Sequence, residues 1–463
     1  MSTYPRRLPA VRSSRSRAFA RLRTLSPETG DALLYGLSAA FALVTICTST
    51  LALYRQWAEL AIGPFIFGAV ASAVLAFGAA RRSRHRAGAA VPPRRSHGNW
   101  VPRIAIAACV FAGATAIPLG LEIVWRSDGD PGSHFQPEVG VIERAGQYVV
   151  KGKDPYPDVT NSRGKVVHPI PGQSAANSFV PYLPLMTVFG MPSEKKHHIV
   201  LTDARIFFSL ATLLVAGAAL FLCPADGRRK MRALQVIAIL PTAALPLATG
   251  GDDMPVVAFL LLAMVLAQRR QPFASGIVLG IVSAMKFTAW PLAALALFAA
   301  RNRRGDRRPG VMFLGMLVVA GPVVVPFALR GPWAFFDNVV LFPLGLSGVN
   351  SPAASPLPGH LIVTAFPFLH RALPLAVGLV GGALLALYLY RRPPQTAAQA
   401  CAVGGVVMAV ITLFAPATRI GYLLYPINFF VWSYLFAGTP GTEQPDARAP
   451  VTEEDLQLSL SAH

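Results

Sequence analysis

The chain has 463 residues, of which 53% are hydrophobic and only 14% charged, with a mean hydropathy of +0.48. These values exclude an ordinary soluble domain and place the chain among polytopic membrane proteins. The formal net charge of +20 invites a nucleic-acid reading, but the basic residues sit in short connections between apolar runs, where they act as topology determinants rather than as a nucleic-acid face.

Arg6, Arg7, Arg12, Arg15, Arg17, Arg21 and Arg23 give residues 1–30 the character of a basic cytoplasmic segment. No small-x-small cleavage site follows the first apolar run, so that run is expected to stay as a helix and not to leave as a signal peptide. A spanning helix needs roughly 17–25 apolar residues, fewer where it is kinked. On that measure spans are expected over 31–53, 57–80, 102–125, 203–223, 231–249, 254–268, 272–290, 290–301, 310–329, 372–390, 398–415 and 420–437, about twelve in all. The resulting fold class is an all-α integral membrane bundle over residues 31–437. With the N-terminus inside, the clusters "RRSRHR" (81–86), "GRRKMR" (227–232), "RNRRGDRR" (301–308) and "RR" (391–392) all fall on the cytoplasmic side. The polar tail, 438–463, falls there as well and is expected to be disordered. Two short, proline-broken apolar stretches, Ser178 to Pro192 and Gly359 to His370, are expected to be re-entrant or interfacial. Cys47, Cys109, Cys223 and Cys401 lie in or at the ends of apolar segments, which argues against a disulfide framework or a metal site.

The same parity puts the polar loop 126–177 outside, together with "GGDD" (250–253), the end of the span carrying Lys286, the loop ending at His360, and "APATRIGY" with Arg419. Within the outer loop, Val139, Ile142, Ala145, Gly146, Val149 and Val150 recur with helical period after Pro137, and Gly152 is the expected stop. This predicts an amphipathic helix on the outer membrane surface. Glu138 lies in its first turn, where a helix dipole favours a carboxylate whatever its function. Lys286 lies four residues before Trp290, about 6 Å inside that interfacial aromatic along a helix. It either snorkels to the headgroups or serves as a fixed cation for a phosphate. Arg419 can supply a second, forked phosphate contact. Asp252 and Asp253 suit sugar hydroxyls as acceptors; a metal at this pair has no evident third and fourth ligand. His360, alone in its loop, is more often structural than catalytic.

The series "PEVGVIERAGQYVVKGKDPY", "FVPYLPL", "DARIFF", "GGDDMPV", "GIVLGIVSAMKFTAWP", "FPLGLSGVNSPAASPLPGH" and "RIGYLLYP" resembles the actinobacterial GT87-type polyprenol-phosphate-dependent glycosyltransferases, within the GT-C class. The resemblance covers about Arg103 to Trp432. It implies a multi-helix GT-C fold binding a lipid-linked sugar, of mannose or arabinose type, at the outer face, with a cell-envelope glycolipid or glycan as acceptor. It also implies a catalytic base at the acidic position ahead of a G-x-x-P-Y element. "GKDPY" (Gly152 to Tyr156) matches that element and counting back gives Glu138, where the family more often has aspartate. Asp128 and Asp130 are the reserve candidates, and His360 corresponds to a late-loop histidine of some relatives. No cofactor is implied, because a polyprenyl-phosphate sugar carries its own leaving group. A transporter or lipid flippase is the rival class; it should show internal repeats and mid-membrane polar groups, and neither is evident here. A family member that only binds or scaffolds envelope lipids is the third.

Overall fold

The computed structural model describes residues 26–87, 100–129, 133–161, 165–194, 200–301, 308–349, 351 and 353–437. The basic segment up to residue 25, Asp130 and the tail 438–463 lie outside the described residues. The described chain is helical without strands, apart from two isolated bridges.

Every expected span is occupied by helix. In chain order these are α1 (Pro27–Thr48), α2 (Ala52–Ala87) and α3 (Trp100–Asp128), then the outer-loop helix α4 (Pro137–Val150), then α5 (Ala204–Leu222) and α6 (Gly227–Thr249). They are followed by α7 (Asp253–Gln268), α8 (Pro272–Ser283), α9 (Trp290–Ala299) and α10 (Arg308–Arg330). The last are the short α11 (Pro358–Ala365), then α12 (Leu369–Arg391), α13 (Ala397–Phe414) and α14 (Leu424–Phe436). Eight of the helices are long and apolar enough to cross a membrane, and four more apolar stretches, Asp253–Gln268, Pro272–Ser283, Phe287–Ala299 and Ile420–Phe436, are shorter.

The helix α7 is apolar all round and buried along nearly its whole length, so it forms the centre of the bundle, packed by α5 and α8. Without a hydrophobic drive between helices in lipid, close packing relies on small residues. Gly276 and Gly280 of α8 form such a face: a Cβ on Gly276 would meet the Met312 carbonyl oxygen of α10 at 2.1 Å, and one on Gly280 the Met316 oxygen at 2.7 Å. Gly276→Ala should therefore destabilise the bundle by about 1–3 kcal/mol, as overpacking does. Gly217→Ala, in α5 with nothing within 4 Å, should be neutral or stabilising, since alanine outranks glycine in a helix. Thermal unfolding of both variants in detergent checks the contrast in sign.

Helix irregularities are compensated locally. A π-helical turn at Ala112–Ala116 in α3 is met by Trp57 of α2, whose indole N–H donates to the Ala114 carbonyl at 2.9 Å. Near the start of α1, Asp31 accepts from Arg103 at 2.6 Å, Arg232 at 2.5 Å and Gln235 at 2.9 Å. Arg232 of the "GRRKMR" cluster thus also ties α6 to α1 and α3.

Two expectations change in detail. The expected span 272–290 is not one helix: α8 ends at Ser283, and Lys286 has extended backbone before a 3-10 turn at Phe287–Ala289. The carbonyls freed by that break accept from the "FVPYLPL" stretch, Leu183 N–H to Met285 O at 3.0 Å and Leu185 N–H to Ala284 O at 2.9 Å. A buried break needs such partners. The stretch Ser178 to Pro192 accordingly becomes a buried chain followed by a 3-10 helix, Pro184–Glu194, and α4 packs on that helix. The apolar face of α4 is thus covered by protein, where the sequence suggested a helix lying on the membrane surface; Gly146 and Gly190 allow the contact, a Cβ on Gly190 meeting the Ile142 carbonyl oxygen at 2.0 Å.

Candidate functional site

The outer-loop helix begins at Gln136, whose backbone and side chain both bond Thr249, the N–H to Thr249 O at 2.9 Å and Nε2 to Oγ1 at 2.7 Å. That pair fastens the start of α4 to the end of α6. Next to it Gly250 terminates α6 with φ +107°, and a Cβ there would meet Val139 of α4 at 2.2 Å; both the left-handed backbone and the approach require glycine. At its far end α4 stops at Gly152, as the sequence predicts, with φ +68°. Gly152 N–H donates to Val149 O and Lys153 N–H to Tyr148 O, at 2.9 and 2.8 Å, a Schellman closure. Beyond it Tyr156 of "GKDPY" is buried, and its hydroxyl donates to the Tyr182 carbonyl at 2.9 Å.

These connections bring the start of α4 to the "GGDD" turn, and the charged residues gather there. The Lys286 ammonium lies 2.9 Å from Asp252 Oδ2 and 2.7 Å from Asp253 Oδ1. It is only 8% exposed, so it is a buried cation between two carboxylates and does not snorkel. The rings of Tyr182 and Tyr422 lie 5.4 and 5.6 Å from its nitrogen, within the range of cation–π attraction. Asp253 also accepts from the Tyr425 hydroxyl at 2.5 Å, which meets Thr288 Oγ1 at 2.5 Å. Burial pushes the Asp252 carboxyl up to about 6, against the opposing pull of Lys286.

Glu138 stands beside this group, close enough for its charge to act on Asp252. Its Oε1 pairs with Arg419 Nη1 at 2.7 Å, while Oε2 is buried with no hydrogen-bond partner. Tyr54 of α2 is also within electrostatic range of both members of the pair. Asp252, Asp253, Lys286, Glu138 and Arg419 therefore share one site, although they come from four different segments of the chain. Three carboxylates and two cations leave it one formal negative charge.

The remaining candidates lie elsewhere. His360 is half-buried on α11, with Nδ1 3.1 Å from the Pro416 carbonyl. It braces the loop leading to Arg419, as does Ser355, whose Oγ accepts from Ile420 N–H at 2.9 Å; it makes no hydrogen bond or ion pair to the five charges. Asp128 is exposed at the end of α3, bonded to Ser127. Among the described residues no three His, Cys, Asp or Glu side chains gather in a way that could hold a metal ion. Tyr182, Tyr422, Tyr425 and Thr288 were not singled out from the sequence. Each sits in a stretch quoted above for its resemblance, but tyrosine in an apolar run reads equally well as an interfacial anchor.

Residues 179–416, just over half of the chain, match the family model of Glycosyltransferase family 87. No curated protein and no solved structure matches the chain.

Proposed function

The chain belongs to Glycosyltransferase family 87, and on that premise we propose that it moves a sugar of mannose or arabinose type from a polyprenyl-phosphate donor to a glycolipid or glycan of the cell envelope. The observation that carries the reading is the Glu138 carboxylate, anchored by Arg419 through one oxygen and leaving the other buried and without a hydrogen-bond partner. Such an oxygen is placed to take the proton of an acceptor hydroxyl as general base. Lys286 and Arg419 are the cations for charge developing on the departing polyprenyl phosphate. Asp252 and Asp253 serve as acceptors for sugar hydroxyls and, meanwhile, hold Lys286 in place. No cofactor takes part, since the donor carries its own leaving group. The protein sits in the cell membrane as a multi-pass protein with both termini cytoplasmic, and transfer takes place at the outer face; the positions of the basic clusters support that sidedness.

The test is incubation of purified, reconstituted protein with radiolabelled polyprenyl-phosphate sugars and envelope glycolipids. Transfer of label to the acceptor supports the reading. Movement of the donor between leaflets without transfer would make the protein a flippase instead.

The charge balance adds a pH dependence. An anionic phosphate entering beside Lys286 joins a site already one charge negative, so it raises the Asp252 carboxyl further and binding takes up a proton. Donor affinity is therefore expected to rise as pH falls toward 6 and to level off below it. Binding of a short-chain polyprenyl-phosphate sugar, a diester whose own phosphate stays ionised throughout, measured by calorimetry from pH 5 to 8 in buffers of different ionisation enthalpy, reads the proton directly. Affinity that stays constant across this range would show that Asp252 does not titrate on binding.

A further inference from the structure

Behind α4, on the side away from Arg419, four buried charges form a second group that the proposed chemistry does not use. Arg126, at the end of α3, grips Glu143 of α4 with both fork nitrogens, Nη1 to Oε1 at 2.9 Å and Nη2 to Oε2 at 2.7 Å. Arg126 Nη1 also reaches Asp203 Oδ2 at 2.8 Å. Asp203 in turn holds Arg205 of α5, Oδ1 to Nε at 2.9 Å and Oδ2 to Nη2 at 2.8 Å. Arg205 Nη1 donates to the His134 carbonyl at 2.6 Å, and Glu143 Oε1 accepts from Ala204 N–H at 3.2 Å. Exposures are 8% for Arg126, 7% for Glu143 and Asp203, and 0% for Arg205. Two cations and two anions make the group neutral, which suits burial.

Its place in the fold indicates its purpose. Glu138 and Glu143 are five residues apart on one helix, so their side chains project about 140° apart around its axis. Arg419 therefore holds α4 from one side and Arg126 from nearly the opposite one, and turning α4 about its axis would break both pairs. A bidentate arginine–carboxylate fork fixes angle as well as distance, which an apolar contact does not.

We propose that Arg126 and Glu143 are positioning residues for Glu138: the buried ionic group sets the rotation of α4 that keeps the free oxygen of Glu138 facing the acceptor. The inference rests on Glu138 being the base. Misplacing a reacting group by about 1 Å is enough to lower rates on the order of a hundred-fold.

The test is a double-mutant cycle on full-length protein reconstituted in vesicles, with a polyprenyl-phosphate sugar as donor and steady-state transfer as readout. Glu143→Gln should lower kcat by about ten- to a hundred-fold with the donor KM unchanged. In a Glu138→Gln background the same change should have no further effect on the residual rate. Arg126→Lys, which keeps the charge but loses the fork, should show a smaller loss with the same dependence on background, and it serves as the cycle if Glu143→Gln does not fold. An equal loss with and without the Glu138 carboxylate would overturn the proposal, as would a parental rate in Glu143→Gln. Failure of the underlying reading looks different: Glu138→Gln alone would then transfer sugar at the parental rate.

Discussion

Glu138→Gln is expected to lower sugar transfer by about a hundred- to ten-thousand-fold, the usual contribution of a positioned base, while binding of the lipid donor persists. Glutamine keeps the size and polarity of the side chain and can still accept from Arg419 through its amide oxygen. What it loses is the second, unpartnered carboxylate oxygen. Glu138→Asp should retain part of the activity, because the shorter acid keeps a carboxylate at the start of α4. Asp128→Asn is the matching control, since that carboxylate is exposed at the end of α3 and bonded to its neighbour Ser127; Asp130→Asn completes the set. Steady-state transfer assays on the four proteins decide the assignment. Parental turnover in Glu138→Gln together with loss in either aspartate variant would move the base to the segment just after α3.

Lys286→Met should be the most damaging single change to the folded protein. Methionine matches the length of the side chain, but its introduction leaves Asp252 and Asp253 buried next to each other without the cation that compensates them. Breaking a buried ionic group by removing one partner is destabilising by about 3–5 kcal/mol, a large part of the roughly 5–15 kcal/mol that holds a typical protein folded. The yield of monodisperse protein on size exclusion and the midpoint of thermal unfolding should both fall. Neutralising the partners at the same time, with Asp252→Asn and Asp253→Asn, should restore folded protein without restoring transfer, which separates stability from chemistry. Lys286→Arg keeps the charge, yet a planar fork does not replace a compact ammonium between two carboxylates and two tyrosine rings. It should fold and use the donor poorly. A Lys286→Met protein as stable as the parent would mean that the two carboxylates are not both ionised in the folded state.

The sequence by itself determined the helices and their order, and it singled out the segments that supply the charged site, namely the start of α4, the "GGDD" turn, the Lys286 stretch and the loop carrying Arg419. Helix placement was legible because backbone polar groups in lipid must be satisfied within the segment; the expected span 272–290, broken after Ser283, is the departure. The stop at Gly152 was legible for a related reason, a left-handed residue closing a helix end. Tertiary structure alone decided who pairs with whom. Glu138 meets Arg419, and Lys286 meets Asp252 and Asp253, across long separations in the chain, and charge complementarity without distance does not choose among several acids and bases. Lys286 illustrates the point most directly. Measured along an unbroken helix it lies near the interface, where snorkelling and a fixed cation for a phosphate are both open, but the helix ends at Ser283, and Leu183 and Leu185 occupy the carbonyls released there. That partner comes from a stretch read only as re-entrant or interfacial, so the turn of the chain that delivers Lys286 to the aspartates has no local signature. The same holds for Arg126, Glu143, Asp203 and Arg205. In sequence they are a loop boundary, an amphipathic-helix charge and a helix cap with its neighbour, and they become one neutral buried group only when α3, α4 and α5 meet, because burial of each charge is tolerable only in the presence of the others.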